Sequence, residues 1–238
     1  MPSPTRLSES HVSPRLLDLF SGAGGSAVGY SRAGFEVVGV DHVFQPNYPF
    51  EFFEADATRL DDRWVEAMRF DAIHASPPCQ AFTAYKRTGN VGEYPDLIEP
   101  IRELLRQTGL PYVIENVEGA PLEDPVTLCG SMFDLDVQRH RLFESNWNLE
   151  PPWQPCRHKL WAPDRFPGGR SKERTGSSQG LVRGTIEIGS WDIPLARQQE
   201  AMGIAWMTLE ELSEAIPPTY TKLIGHQLMA HLKAEAAA

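Results

Sequence analysis

The sequence predicts an α/β protein built around a largely parallel β-sheet. Short apolar runs at residues 15–20, 36–40 and 70–75 each end in a polar or proline-rich segment, as buried strands of a parallel sheet do. Segments with helical spacing, residues 26–33 and 97–108, alternate with these runs. A chain of 238 residues is long enough to bury a core of this kind.

The composition is that of an ordinary globular protein, with 41% apolar and 23% charged residues. No apolar run approaches the roughly 20 residues that span a bilayer, and the amino terminus lacks the charged-then-apolar order of a signal peptide. We therefore expect a cytoplasmic protein with no membrane partner. The three cysteines are too few and too scattered for a disulfide framework.

The periodicity divides the chain into four parts. Residues 1–14 are rich in Ser, Pro and Thr and predict a disordered leader. Residues 15–145 carry the strand and helix patterns of the main domain. Residues 146–190 lose all periodicity and are rich in Pro, Gly and Trp, which predicts an irregular insert. Residues 191–238 predict helices that complete the main domain.

Charge is distributed unevenly along the chain. The formal net charge is −10, yet residues 151–190 hold seven basic and three acidic side chains, a local charge of +4. A basic segment on an acidic body fits a local phosphate-binding face. From charge alone, a solvated loop fits it equally well.

A glycine-rich turn, Ser21 to Gly25, separates the first predicted strand from the first predicted helix. Such a turn lets backbone approach a ligand at a helix amino end. Asp41 follows about 20 positions later at the end of the next strand, where a carboxylate can bind ribose hydroxyls. Together they predict a nucleoside-containing cofactor. Asp56 ends a third strand and is either an adenine contact or a helix N-cap.

Two reactive side chains follow strands in equivalent positions. Cys79 lies just after Ser76-Pro77-Pro78, and Glu115 ends the predicted strand 111–114. The carboxyl ends of parallel strands share one edge of the sheet, so we expect a common cleft. For Cys79 alone, a small buried hydrophobe is the competing interpretation. The loop 81–92 is long and polar, and we expect it to close over a substrate.

Metal-compatible side chains occur at Cys129, His140, Cys156 and His158. They lack the paired Cys-x-x-Cys spacing of zinc sites. The sequence therefore predicts no metal.

Several motifs occur in a characteristic order. They are Phe20 to Gly25, Pro77 to Gln80, Glu115 to Val117, Arg139 to Arg141 and Ala215 to Pro218. This series resembles the DNA (cytosine-5) methyltransferases, in the short form carried by bacteria and their viruses. The resemblance implies a Rossmann-like class I fold that binds S-adenosylmethionine, with residues 146–190 as a short target-recognition insert. It also implies double-stranded DNA as partner. A restriction endonuclease is a further candidate partner that the sequence leaves open, and we expect a monomer.

The resemblance assigns roles to individual residues. Cys79 would be the nucleophile and Glu115 would contact the base edge, while Arg139 and Arg141 would hold the flipped nucleotide and its phosphate. The implied cofactor-binding residues are Phe20, Gly22, Ala23, Gly24, Gly25, Asp41, His42, Asp56, Ala57 and Pro78. The implied substrate-binding residues are Gln80, Asn116 and Val117.

The residue types suit this chemistry. A thiolate that adds to carbon 6 of cytosine makes carbon 5 electron-rich, and a protonated carboxyl group can stabilise the activated ring at nitrogen 3. Glu214 stands where the family usually has asparagine. Two alternatives remain open: an RNA (tRNA) cytosine-5 methyltransferase, and a catalytically idle nucleic-acid-binding homologue.

Overall fold

The computed structural model describes residues 13–82, 95–157 and 186–237. Most of the predicted leader, most of the loop 81–92, the middle of the predicted insert and His158 lie outside these ranges. Among the residues described, no helix combines the length and the apolar character that crossing a membrane requires.

A seven-stranded sheet forms the centre of the molecule, in the order β3-β2-β1-β4-β5-β7-β6. Strands β1 to β5 are parallel, whereas β7 runs antiparallel to both of its neighbours. This sheet confirms the predicted α/β class. The strands are β1 Arg15–Leu19, β2 Glu36–Asp41, β3 Glu51–Glu54, β4 Ala72–Ala75, β5 Tyr112–Asn116, β6 Val126–Leu128 and β7 Arg141–Ser145.

Six α-helices accompany the sheet in the described ranges. The sequence did not predict α2, which is only six residues long and begins where the Asp61 side chain accepts a hydrogen bond from the backbone of Trp64. The helices are α1 Gly25–Ala33, α2 Asp62–Ala67, α3 Ile98–Thr108, α4 Leu195–Met202, α5 Leu209–Glu214 and α6 Pro218–Glu235.

The sheet buries a different set of side chains on each face, because successive residues of a strand point to opposite sides. Leu16 packs into one core cluster with side chains of α1 and α6, such as Tyr30 and Tyr220. Leu17 packs into the other with side chains of α2 and α3, such as Val65 and Leu105. The fold is thus a three-layer sandwich with the sheet in the middle.

Helices α1 and α6 approach so closely that the contact requires glycine. A Cβ atom on Gly29 would lie 1.9 Å from Oγ1 of Thr221, and one on Gly25 would lie 2.5 Å from the carbonyl oxygen of Ile216. The Thr221 hydroxyl donates a hydrogen bond of 2.8 Å to the backbone carbonyl of Ser26. The carboxyl-terminal helix is therefore packed directly against the helix that follows the glycine-rich turn.

Candidate active site

The carboxyl edge of the parallel strands carries most of the predicted site. Strands β1, β4 and β5 are neighbours in the sheet. Their ends deliver residues 20–25, 76–80 and 115–117 to the same edge. The register of the sheet aligns the ends of these three strands, because Leu19 of β1 pairs with Ala75 of β4 and Ala75 pairs with Ile114 of β5.

Cys79, Glu115 and Arg141 form one electrostatic cluster. The Arg141 Nε atom lies 3.0 Å from Oε1 of Glu115, whose side chain is buried. Burial raises the pKa of Glu115, and the charge of Arg141 opposes that rise. Burial also raises the pKa of the half-buried Cys79 thiol; the Arg141 charge opposes this, while the charges of Glu115 and Glu214 add to it. The predicted thiol and acid are therefore brought together.

Arg139 is buried beside this cluster. Burial and the neighbouring Arg141 charge lower its pKa to about 9. One guanidinium nitrogen donates to the backbone carbonyl of Ser213, whereas its Nε has no hydrogen-bond partner among the described atoms. A cavity of about 580 Å³ opens at this point. Its lining includes Phe82, Val117, Arg139, Arg141 and Ile188.

A buried polar relay leads to Glu115 from within the core. The Tyr30 hydroxyl lies 3.0 Å from Nδ1 of His74, and the His74 Nε2 lies 2.9 Å from Oγ of Ser76. The Ser76 hydroxyl in turn hydrogen-bonds Glu115 and lowers its pKa.

One arrangement of protons satisfies the whole relay: Tyr30 donates to His74, His74 donates to Ser76, and Ser76 donates to Glu115. This needs a neutral imidazole, and burial does lower the pKa of His74 to about 3. Sequence reasoning missed His74 and Ser76, although both stand in the strand-to-loop segment that precedes Cys79.

Asn116 holds the loop that carries Cys79. Its side-chain amide donates a hydrogen bond of 2.9 Å to the carbonyl of Pro77, and its side-chain oxygen accepts one from the backbone of Val117. Asn116 is fully buried, so it positions the loop. Gln80 is exposed and Val117 is half-buried. Direct contacts of Gln80, Asn116 and Val117 with a substrate stay predictions.

The glycine-rich turn has an unusual backbone that only some residues tolerate. Phe20, Gly22 and Gly24 have positive φ angles of 58°, 46° and 84°, and a non-glycine residue in this region is strained. The Gly22 N–H donates a hydrogen bond of 3.0 Å to Oδ2 of Asp41. The turn therefore lies against the end of β2, at the edge of the sheet where the sequence predicts a nucleoside-containing cofactor.

The remaining predicted cofactor residues differ in their exposure to solvent. Ala23 and Ala57 are buried, Pro78 is half-buried and His42 is exposed, with its Nδ1 3.1 Å from the Asp41 carboxylate. The exposed Asp56 accepts a hydrogen bond of 3.0 Å from the backbone of Thr58. It thus caps a short 3-10 turn, the alternative role that its sequence context allowed, and its contact with adenine stays a prediction.

The carboxyl-terminal segment also reaches the turn. The indole N–H of Trp206 donates a hydrogen bond of 2.9 Å to the carbonyl of Ala23. Sequence reasoning did not select Trp206, because no local pattern connects it with a turn 183 positions away.

Two solved structures of methyltransferases have folds similar to this one. An E. coli prophage-encoded protein described as a DNA modification methyltransferase aligns with a TM-score of 0.63 at 14% identity, over 93% of this chain and 100% of that chain. The Entamoeba histolytica methyltransferase EhMeth aligns with a TM-score of 0.61 at 12% identity, over 93% and 99%. These similarities confirm the predicted Rossmann-like methyltransferase fold.

Sequence comparisons identify the family. The family model for C-5 cytosine-specific DNA methylase matches residues 14–124. The Type II methyltransferase M.HgiGI of Herpetosiphon aurantiacus is 30% identical over 118 residues, 45% of this chain and 94% of that protein. M1.HphI of Haemophilus parahaemolyticus is 30% identical over 117 residues, but the match covers only 32% of its length. The chain belongs to the family of C-5 cytosine-specific DNA methylases, a class of DNA (cytosine-5-)-methyltransferases.

Proposed function

We propose that this protein transfers a methyl group from S-adenosylmethionine to carbon 5 of a cytosine that is turned out of double-stranded DNA. The observation that carries the proposal is the cluster of Cys79, Glu115 and Arg141 at the carboxyl edge of the sheet. An acid with a raised pKa beside a thiol is an arrangement that catalysis needs and that binding alone does not.

The residues around the glycine-rich turn fit S-adenosylmethionine. The Asp41 carboxylate, which already accepts a hydrogen bond from Gly22 of the turn, would accept further hydrogen bonds from ribose hydroxyls, and Phe20 would supply an apolar wall. A Cβ on Gly22 would meet nothing within 4 Å, so the turn faces open space. The buried Ser21 hydroxyl has no partner among the described atoms and offers a further polar contact. When bound, the cofactor supplies an electrophilic methyl group.

Cys79 and Glu115 would activate the cytosine ring. The Cys79 thiol would give its proton to solvent, and its sulfur would form a bond to carbon 6 while the ring electrons move toward nitrogen 3, where the protonated Glu115 carboxyl group donates. Carbon 5 would then be nucleophilic enough to take the methyl group, and S-adenosylhomocysteine would leave. Transfer of the carbon 5 proton to solvent water would restore the double bond and expel the Cys79 sulfur as a thiolate. Arg141 stabilises the thiolate at the start and at the end of this sequence.

The two arginines would hold the extruded base and its flanking phosphate. Arg139 has a buried Nε without a partner among the described atoms, and Arg141 lines the adjoining cavity. A buried, unpaired donor is costly, and a substrate oxygen would satisfy it. Turning a base out of the duplex costs a few kcal/mol, which such contacts offset.

A methyl-transfer assay tests the proposal. With radiolabelled S-adenosylmethionine and unmethylated duplex DNA, we expect label on cytosine from the wild-type protein and none from Cys79→Ala. Calorimetric binding of S-adenosylmethionine by both proteins is the control for folding. Undiminished transfer by Cys79→Ala, or no transfer by the wild type, contradicts the mechanism.

Two further arms separate the alternatives. Label that enters transfer RNA in preference to DNA would support an RNA methyltransferase instead, since single-stranded loops avoid the cost of unstacking. DNA that carries 5-fluorocytosine should trap a covalent adduct with the wild-type protein. Absence of both an adduct and methyl transfer would indicate an idle binding module.

A further inference from the structure

Three potential metal ligands meet beside β7, although the chain brings them from distant positions. The Sγ atoms of Cys129 and Cys156 and a ring nitrogen of His140 all lie within 4.8 Å of one another. The antiparallel register pairs Leu128 with Arg141, so the next step along the ladder sets Cys129 opposite His140. The sheet itself therefore brings two of the three ligands together.

The spacing of these atoms suits a zinc ion. Zinc bonds of about 2.3 Å to sulfur and 2.0–2.1 Å to nitrogen at a tetrahedral angle put the two ligand atoms about 3.6 Å apart. His140 Nε2 and Cys156 Sγ are 3.4 Å apart. In a tetrahedral zinc site the two sulfur atoms lie about 3.8 Å apart. No two of the three ligand atoms are more than 4.8 Å apart here. The two sulfur atoms therefore have to approach each other by about 1 Å at most to bind one ion. Cys156 is exposed and can make that shift.

The three ligand side chains have hydrogen-bonding neighbours of the kind that surround ligands of protein-bound zinc. The His140 Nδ1 lies 3.0 Å from a carboxylate oxygen of Glu118. A carboxylate at this nitrogen fixes the ring orientation and directs Nε2 at the metal. The Ser131 hydroxyl lies 3.4 Å from the sulfur of Cys129 and 3.5 Å from that of Cys156. A hydroxyl between two sulfur atoms can donate to a thiolate.

We propose that Cys129, His140 and Cys156 bind a zinc ion. Two thiolates and an imidazole form a donor set typical of zinc sites in proteins. A tetrahedral ion takes a fourth ligand, and the three residues named here are the part of the site that the described chain supplies.

The ion would fasten the beginning of the predicted insert to the catalytic sheet. Cys156 lies near the beginning of that insert, which follows β7 directly, and the backbone N–H of Arg157 donates a hydrogen bond of 3.0 Å to the Ser131 hydroxyl. His140 lies between Arg139 and Arg141, so a bound ion also fixes the backbone that presents both arginines. This consequence for DNA binding rests on the proposed function, whereas zinc binding itself does not.

Metal analysis of protein purified without an affinity tag tests the site. We expect about one zinc ion per wild-type chain, and loss of nearly all of it in Cys129→Ser, His140→Ala and Cys156→Ser. Cys79→Ser is the matched control, because it removes the third thiol of the chain and should retain the zinc. Cobalt substituted for zinc should give a thiolate-to-cobalt charge-transfer band that disappears in Cys156→Ser.

Two variants on the surface keep the test independent of folding. Cys156 and Glu118 are exposed, so circular dichroism of Cys156→Ser and Glu118→Gln should match the wild type. Glu118→Gln should weaken zinc affinity about 10- to 100-fold. A wild-type protein that lacks metal after growth in zinc, a Cys129–Cys156 disulfide in its place, or full zinc content in the ligand variants would overturn the proposal. A Cys79→Ser protein that is inactive but retains zinc would show that zinc binding and methyl transfer are tested independently of each other.

Discussion

At the scale of single residues, Glu115 depends on two opposing influences. Its proposed role requires a proton on the carboxyl group, yet Arg141 lies 3.0 Å away and favours the charged form. Burial is the larger influence and raises the pKa of Glu115. The Ser76 hydroxyl lowers that pKa by donating to the carboxylate. The environment thus sets the pKa of Glu115 by a balance. Substitution of Ser76 removes one contribution to that balance, together with the hydrogen bond between Ser76 and His74.

Ser76→Ala should extend activity to higher pH. Without the hydrogen bond from Ser76, the Glu115 carboxylate is less stable, and its already raised pKa rises further. Because the protonated form is the proposed donor, it would then persist to a higher pH. We expect the alkaline limb of the single-turnover methylation rate to move upward, with a change in maximal rate of less than about tenfold.

Ser145→Ala is a suitable control for this shift. It removes a hydroxyl that donates a 2.8 Å hydrogen bond to the backbone of Trp147, away from Glu115. Its pH profile should match that of the wild type. A profile of Ser76→Ala that coincides with the wild type, or that moves to lower pH, would show that the protonation of Glu115 does not limit the rate.

At the scale of elements, the glycines of α1 and those of the turn before it serve different purposes. The sequence indicates a ligand-binding turn at residues 21–25, and Gly22 and Gly24 do have positive φ angles there. Gly25 instead accommodates Ile216, just before α6, and Gly29 accommodates the first turn of α6; in both places backbone atoms leave no room for a side chain. No local sequence pattern reveals this contact, because the partner helix lies about 190 residues further along the chain.

Gly29→Ala should destabilise the protein although it favours helix formation locally. The added Cβ would lie 1.9 Å from the Thr221 side chain and 2.3 Å from the backbone carbonyl of Pro218. Backbone cannot rotate away as a side chain can, so α6 must shift. We expect the free energy of unfolding in urea to fall by about 3 kcal/mol.

Gly109→Ala provides the comparison for Gly29→Ala. Its φ angle is 67°, but a Cβ there would meet nothing within 4 Å. Only backbone strain of about 1–2 kcal/mol is expected. Equal or smaller destabilisation by Gly29→Ala would mean that α1 and α6 can separate without cost.

At the scale of the whole molecule, the sequence predicted the features that short segments determine. Apolar runs and glycine or proline breaks located the strands, and the position of each break located Cys79 and Glu115 at one edge. Features that depend on pairing of distant segments were missed. The contact of Trp206 with the glycine-rich turn and the meeting of Cys129 with His140 both follow from packing or strand register, which periodicity does not encode.

The distribution of charge over the whole chain leads to a last prediction. An acidic protein of net charge −10 repels DNA unless basic residues are concentrated where the backbone binds, and residues 151–190 carry +4. Changing Arg165, Arg170 and Arg174 to Gln should reduce the slope of log K against log salt by about 0.9 for each phosphate that the protein then leaves unneutralised. Equilibrium titrations of a duplex at several salt concentrations measure this slope.

The exposed Arg63, Lys222 and Lys233 lie elsewhere in the chain, and their change to Gln should leave the slope much less affected. Equal slopes for the two triple variants would place DNA on another surface of the protein.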